Sequence, residues 1–87
     1  MVWRVEFEPA ARKALRKIDR TWQERIIKYL EEVSSLENPR VRGKALTADF
    51  LGLWRYRVGD YRIICEFEND VLIIAVIKIA HRRQVYK

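Results

Sequence analysis

The 87-residue chain is 49% hydrophobic and 34% charged, enough for one small core over residues 1–87 and too little for a second domain. Eighteen Lys and Arg against twelve Asp and Glu give a net charge of +6, so the folded body favours a polyanionic partner: nucleic acid, acidic protein or anionic lipid. One cysteine and one histidine exclude an internal disulfide and a protein-only zinc site, and no cofactor is expected.

Val2 to Phe7 alternates apolar and charged residues, which predicts a strand with one wet face. Arg4, Glu6 and Glu8 interrupt the start, so neither a signal peptide nor a membrane span is expected, and the chain reads as soluble and cytoplasmic. Pro9 opens a first helix, with Ala10, Ala11, Ala14, Leu15 and Ile18 on one side and Arg12, Lys13, Arg16 and Lys17 on the other. A second helix is capped either by Asp19 or by a Thr21–Glu24 capping box, and Trp22, Ile26, Tyr29, Leu30 and Val33 repeat along it at helical spacing. The two helices are expected to form a tight hairpin.

Periodicity disappears between Leu36 and Leu51. This long connection reads either as a solvated crossover or as a loop that contacts RNA through Arg40, Arg42 and Lys44, with Leu46 and Phe50 as anchors. From Leu51 onward three strands are predicted, joined by two-residue turns at Gly59-Asp60 and Asn69-Asp70. That register sets Arg57 opposite Arg62, Arg55 opposite Ile64, and Glu66, Ile64 and Arg62 opposite Ile73, Ala75 and Ile77.

One sheet face then holds Trp54, Tyr56, Val58, Tyr61, Ile63, Cys65, Phe67, Leu72, Ile74 and Val76 and receives the helices. Cys65, inside this apolar run, reads as a buried small hydrophobe. The other face holds Arg55, Arg57, Arg62, Ile64, Glu66, Ile73, Ala75, Ile77 and Ile79 and leads to His81. Like charges directly opposite destabilise a strand pair, so the facing arginines ask for a function. Guanidiniums bind phosphate oxygens bidentately, and RNA carries its own nucleophile in the 2′-OH, so metal-independent phosphodiester cleavage is within reach of such a cluster. His81 could protonate a leaving oxygen; Tyr61 or Tyr86 could stack on a base.

The order strand, helical hairpin and Asn38-Pro39-Arg40 loop, the run Leu53-Trp54-Arg55-Tyr56-Arg57-Val58-Gly59-Asp60-Tyr61-Arg62 and the ending His81-Arg82-Arg83-Gln84-Val85-Tyr86 resemble the RelE branch of the RelE/ParE toxin superfamily over essentially the whole chain. The resemblance implies an α+β fold of order β-α-α-β-β-β, a small antiparallel-rich sheet with the helical hairpin on one face. It implies the toxin of a type II toxin–antitoxin pair: an mRNA interferase that enters the ribosomal A site and cleaves mRNA by 2′-OH attack, inhibiting translation. By position, the family's basic strand pair falls on Arg55 and Arg57, its transition-state arginine on Arg62, its leaving-group arginine on Arg82 and its stacking tyrosine on Tyr86.

The best-known enzyme of the branch has lysines in the strand pair, one of them proposed as general base. Arginine deprotonates only above about pH 12, so His81, water and a ribosomal group all stand as candidates for taking the 2′-OH proton. Arg83, like Arg40, Arg42, Lys44 and Tyr61, is expected to bind RNA. Implied partners are the 70S ribosome, mRNA and an acidic RelB-like antitoxin that covers basic and apolar surface together, burying Ile73, Ile77 and Ile79 or the Lys13 and Lys17 side of the first helix. Two other readings share the fold: a ParE-like inhibitor of DNA gyrase, and a noncatalytic basic RNA- or ribosome-binding module.

Overall fold

The computed structural model describes residues 3–47 and 52–82, and Val2 and Phe50 lie outside them. The N-terminal alternation yields β1 (Arg4–Phe7), with Arg4 and Glu6 exposed and Val5 and Phe7 turned inward. Pro9 starts α1 (Pro9–Arg16), which buries Ala11 and Leu15. Asp19 caps α2 (Arg20–Ser34), its Oδ2 accepting from the Thr21 N–H at 3.2 Å, which resolves the choice of cap. Helix α2 buries Ile26, Leu30 and Val33.

A single 3₁₀ turn at Pro39–Val41 leads to β2 (Lys44–Ala45), a two-residue strand too short for any periodicity to reveal. The three predicted strands are β3 (Trp54–Val58), β4 (Tyr61–Glu68) and β5 (Ile73–His81). The sheet runs β1-β5-β4-β3-β2, with β1 parallel to β5 and every other pair antiparallel. Both helices pack on one face around Trp3, Tyr56, Ile63, Cys65, Ile74, Val76 and Ile79.

The crossover is fastened from below. Buried Tyr56 donates its hydroxyl to the Pro39 carbonyl at 2.7 Å, and the Trp54 indole N–H donates to the Arg42 carbonyl at 2.7 Å. Burial pushes the Tyr56 hydroxyl well above the ordinary tyrosine range, and burial likewise pushes the Cys65 thiol up to about 12. Cys65 is thus the inert core residue expected of it.

The Gly59-Asp60 hairpin forms as predicted, with Arg57 opposite Arg62. Gly59 has φ +58°, and a Cβ there would collide with the Trp22 ring, so the turn needs glycine both for its backbone and for its packing under α2.

The second turn departs from expectation. Four residues, Asn69 to Leu72, connect β4 to β5, and Glu68 rather than Glu66 faces Ile73. A shift of two leaves side-chain parity intact, and Glu66 then faces Ala75. Leu72, expected in the core, is instead exposed at φ +55°. Further along, Cys65 pairs with Val76 but Ile64 pairs with Lys78, so Ile77 is an extra residue, a β-bulge.

Beyond the bulge every side chain changes face. Ile79 enters the core under the helices and His81 pairs with Tyr61, so both leave the face on which the sequence placed them. Ile73 is also 8% exposed, which leaves Ile77 as the partly accessible member of the expected isoleucine patch.

Candidate functional site

Three arginines converge where β3 ends, β4 begins and the chain leaves β5. Arg57 and Arg62 are direct cross-strand partners, and Arg62 faces Ala80 on β5, two residues before Arg82. The Arg82 N–H donates to the Asp60 carbonyl at 2.6 Å, which ties the exit of β5 to the hairpin turn. Arg57, Gly59, Asp60, Arg62 and Arg82 line one open recess of ≈ 270 Å³. The bulge puts Arg82 there: an uninterrupted ladder would turn Arg82 away and bring His81 in.

The cationic surface continues along the sheet. Lys44 pairs with Arg55 across β2 and β3, and both join Tyr29, Gly43 and Arg57 around a second recess of ≈ 260 Å³. Arg57 is common to the two recesses, so Lys44, Arg55, Arg57, Arg62 and Arg82 form one strip. Such a strip can hold successive phosphates, and a guanidinium pair offers two bidentate donors to a developing dianion. The first recess contains one carboxylate, Asp60, and no histidine or lysine among the described residues. Guanidiniums keep their protons, so the recess holds no complete acid–base pair.

Beside the strip, Leu46, Leu53, Ile64, Ile77, Lys78 and Ala80 form an apolar groove of ≈ 440 Å³ whose rim includes Arg55 and Arg62. Lys78 and Asp60 were not singled out from the sequence. Lys78 carried a usable signal: strict alternation from Ile74 and Val76 would bury it under the helices, which an unpaired ammonium resists.

Other expected site residues lie elsewhere. His81 and Tyr61 meet edge to face at 5.1 Å on the helix side of the sheet, not in the arginine recess. Arg40 donates to the Asn69 side chain at 2.7 Å and lies 4.1 Å over the Phe67 ring, holding the crossover to the β4–β5 turn. Arg42 pairs with Glu32 at 3.4 Å and lies 5.7 Å over Tyr29. The crossover therefore supplies Lys44 to the cationic strip and uses Arg40 and Arg42 in packing. Arg83 and Tyr86 lie outside the described residues. No helix among the described residues is long and apolar enough to cross a membrane.

A family model described as the ParE toxin of type II toxin–antitoxin systems matches residues 5–86. Toxin RelG of Mycobacterium tuberculosis is 25% identical over 87 residues, spanning 100% of this chain and 99% of that protein. Among solved structures, the toxin–antitoxin complex RelBE2 of Mycobacterium tuberculosis superposes with a TM-score of 0.84 at 23% identity, covering 94% of this chain and 100% of that one. A mutant of E. coli toxin RelE in the free state gives 0.78 at 26% identity, covering 99% and 92%. The archaeal RelE–RelB complex from Pyrococcus horikoshii gives 0.75 at 25% identity, covering 94% and 97%.

Proposed function

The chain belongs to the family of ParE toxins of type II toxin–antitoxin systems, in the RelE branch of the RelE/ParE superfamily, and from that premise we propose that it is a ribosome-dependent mRNA endoribonuclease. The observation that carries this reading is the convergence of Arg57, Arg62 and Arg82 on one recess. The scissile phosphate sits there with its non-bridging oxygens on Arg57 and Arg62. The 2′-oxygen attacks phosphorus and the bond to the 5′-oxygen breaks, giving a 2′,3′-cyclic phosphate and a 5′-hydroxyl whose proton comes from water or from the ribosomal group that took the 2′-OH proton. Arg82 neutralises the leaving oxygen, Arg55 and Lys44 hold the adjoining backbone, and Tyr86 stacks on a base of the codon.

The proton of the 2′-OH needs an acceptor that guanidiniums cannot be. His81 lies beside Tyr61 on the helix side of the sheet, so we assign that role to water or a ribosomal group. Ribosome dependence follows, because the chain brings charge stabilisation and the A site brings alignment and proton transfer. Structures of relatives in complex with antitoxins support an antitoxin as partner; the net charge of +6 favours an acidic one, with its apolar side chains in the groove at Leu46, Ile64 and Ile77.

The test supplies purified protein to programmed ribosomes and maps mRNA ends. Arg62→Ala and Arg82→Ala should each lose about 100- to 1,000-fold in cleavage rate with unchanged melting, and neither should arrest growth. The description of the matching family model as ParE favours gyrase as the second reading. Inhibited supercoiling with intact mRNA selects it, and binding to ribosomes without new mRNA ends selects a noncatalytic module.

A further inference from the structure

The helix side of the sheet carries a charged surface that the arginine recess does not use. Arg12 and Arg16 form one i,i+4 row on α1, and Lys13 and Lys17 form a second that ends at the helix C-cap; all four are exposed. Helix α1 contains no acidic residue, and none of the four joins an ion pair among the described residues. Like charges four residues apart destabilise a helix, and eight residues are too few to dilute that cost. The rise of an α-helix sets the charges within each row about 6 Å apart, a spacing suited to successive phosphates of a single strand.

The lysine row borders a recess of ≈ 300 Å³ lined by Lys17, Ile18, Asp19, Tyr61, Ile79 and His81. Its apolar floor and two part-exposed rings suit a nucleobase, which every π face can receive. Tyr61 precedes Arg62, and His81 precedes Arg82. Side chains alternate along a strand, so the two recesses lie back to back across the end of the β4–β5 ladder.

We propose that this helix-side surface is a second RNA-contact site. A single strand leaving the arginine recess turns round the sheet end, seats a base against Tyr61 and His81, and lays its next phosphates on Lys17 and Lys13. This rests on the RNA reading given above. A membrane surface is disfavoured because the exposed side of α1 offers Ala10 and cations but no large apolar side chain. A flat base matches the paired rings more closely than an acidic polypeptide does, and the antitoxin proposed above seats its apolar side chains in the groove at Leu46, Ile64 and Ile77.

Fluorescence anisotropy with single-stranded RNAs of roughly four and roughly twelve nucleotides separates the two sites, since this range runs from a minimal to an extended single-strand footprint. The Lys13→Gln/Lys17→Gln double variant changes exposed positions only. It is expected to bind the short RNA as the parent does, and to reduce the salt slope for the long RNA by about 1.4, or ~0.7 per lost phosphate contact. His81→Ala should weaken the long RNA about tenfold through lost stacking, whereas Arg62→Ala should weaken both RNAs.

Equal salt slopes for parent and double variant on the long RNA overturn the proposal. If Arg62→Ala still weakens binding in that case, the RNA reading stands. If the parent binds neither RNA, both fall together. A double variant that binds both RNAs normally but loses affinity for poly-glutamate or for phosphatidylserine vesicles also overturns the second site.

Discussion

The two faces at the end of the β4–β5 ladder are built from adjacent residues and have opposite chemistry. Arg62 and Arg82 open onto a polar recess beside Arg57, whereas Tyr61 and His81 turn under the helices beside Ile79 and Trp22. The bulge at Ile77, which is taken up without continuing the alternation, decides which member of the His81-Arg82 pair joins which face. The lesson concerns parity: a list of candidate residues says little about a site until the sheet register is known, and one bulge exchanges a titratable imidazole for a permanent cation.

A one-residue change beyond the bulge attacks the comparison most severely. Deleting Ala80 should bring His81 opposite Arg62 on the arginine face and turn Arg82 to the helix side, while Ile79 keeps its place in the core. Growth arrest should be lost, and urea unfolding should record a destabilisation of about 1–3 kcal/mol. Deleting Ile77 instead removes only the extra residue and leaves every facing unchanged, so that variant, like Ile77→Ala, should retain activity. If the Ala80 deletion variant stays fully toxic, activity does not depend on the face that Arg82 occupies.

Both faces also meet at Gly59, which lines the arginine recess and lies against the Trp22 ring. Gly59→Ala should cost about 2 kcal/mol or more from the left-handed backbone and the displaced ring, lowering Tm by on the order of 10 °C. Trp22→Ala would remove the steric part of that penalty, so the double variant should lose less than the sum of the single changes.

Much of the fold was legible because its signals are local. Pro9 and Asp19 mark helix starts, the period of Ile26, Leu30 and Val33 marks the buried side of α2, and Gly59-Asp60 marks the hairpin that sets Arg57 against Arg62. The bulge was not legible by the same means. From Ile73 to Ala80 both parities of β5 are apolar, so Ile77 and Ile79 are equivalent candidates for the core, and only the position of Lys78 speaks against strict alternation. The four-residue β4–β5 turn escaped because Asn69-Asp70 carries the composition of a tighter one. Tyr56 and Trp54 were read as core, while their hydrogen bonds to the crossover depend on a contact between segments far apart in sequence.

The smallest expected effect is a change in stability with pH that spares the arginine face. Cys65 and Tyr56 are protonated and neutral at pH 7, whether folded or unfolded. The unfolded thiol ionises near its ordinary 9, while the buried one keeps its proton up to about 12, and the Tyr56 hydroxyl is raised in the same sense. Their stabilisation is fully present below pH 9 and is lost as pH rises from 9 toward 12. Chemical denaturation across that window should give a falling midpoint, and Cys65→Ala should flatten the first part of the fall.

The claim that the arginine face carries the chemistry is tested most directly by comparing Arg82→Ala with His81→Ala in mRNA cleavage on programmed ribosomes. Each variant is first matched to the parent in thermal melting. Arg82→Ala should lose about 100- to 1,000-fold in single-turnover rate, and His81→Ala should stay within about tenfold of the parent, the loss expected of a stacking contact. A His81→Ala variant as inactive as Arg82→Ala, or an Arg82→Ala variant that cleaves at the parent rate, would contradict it.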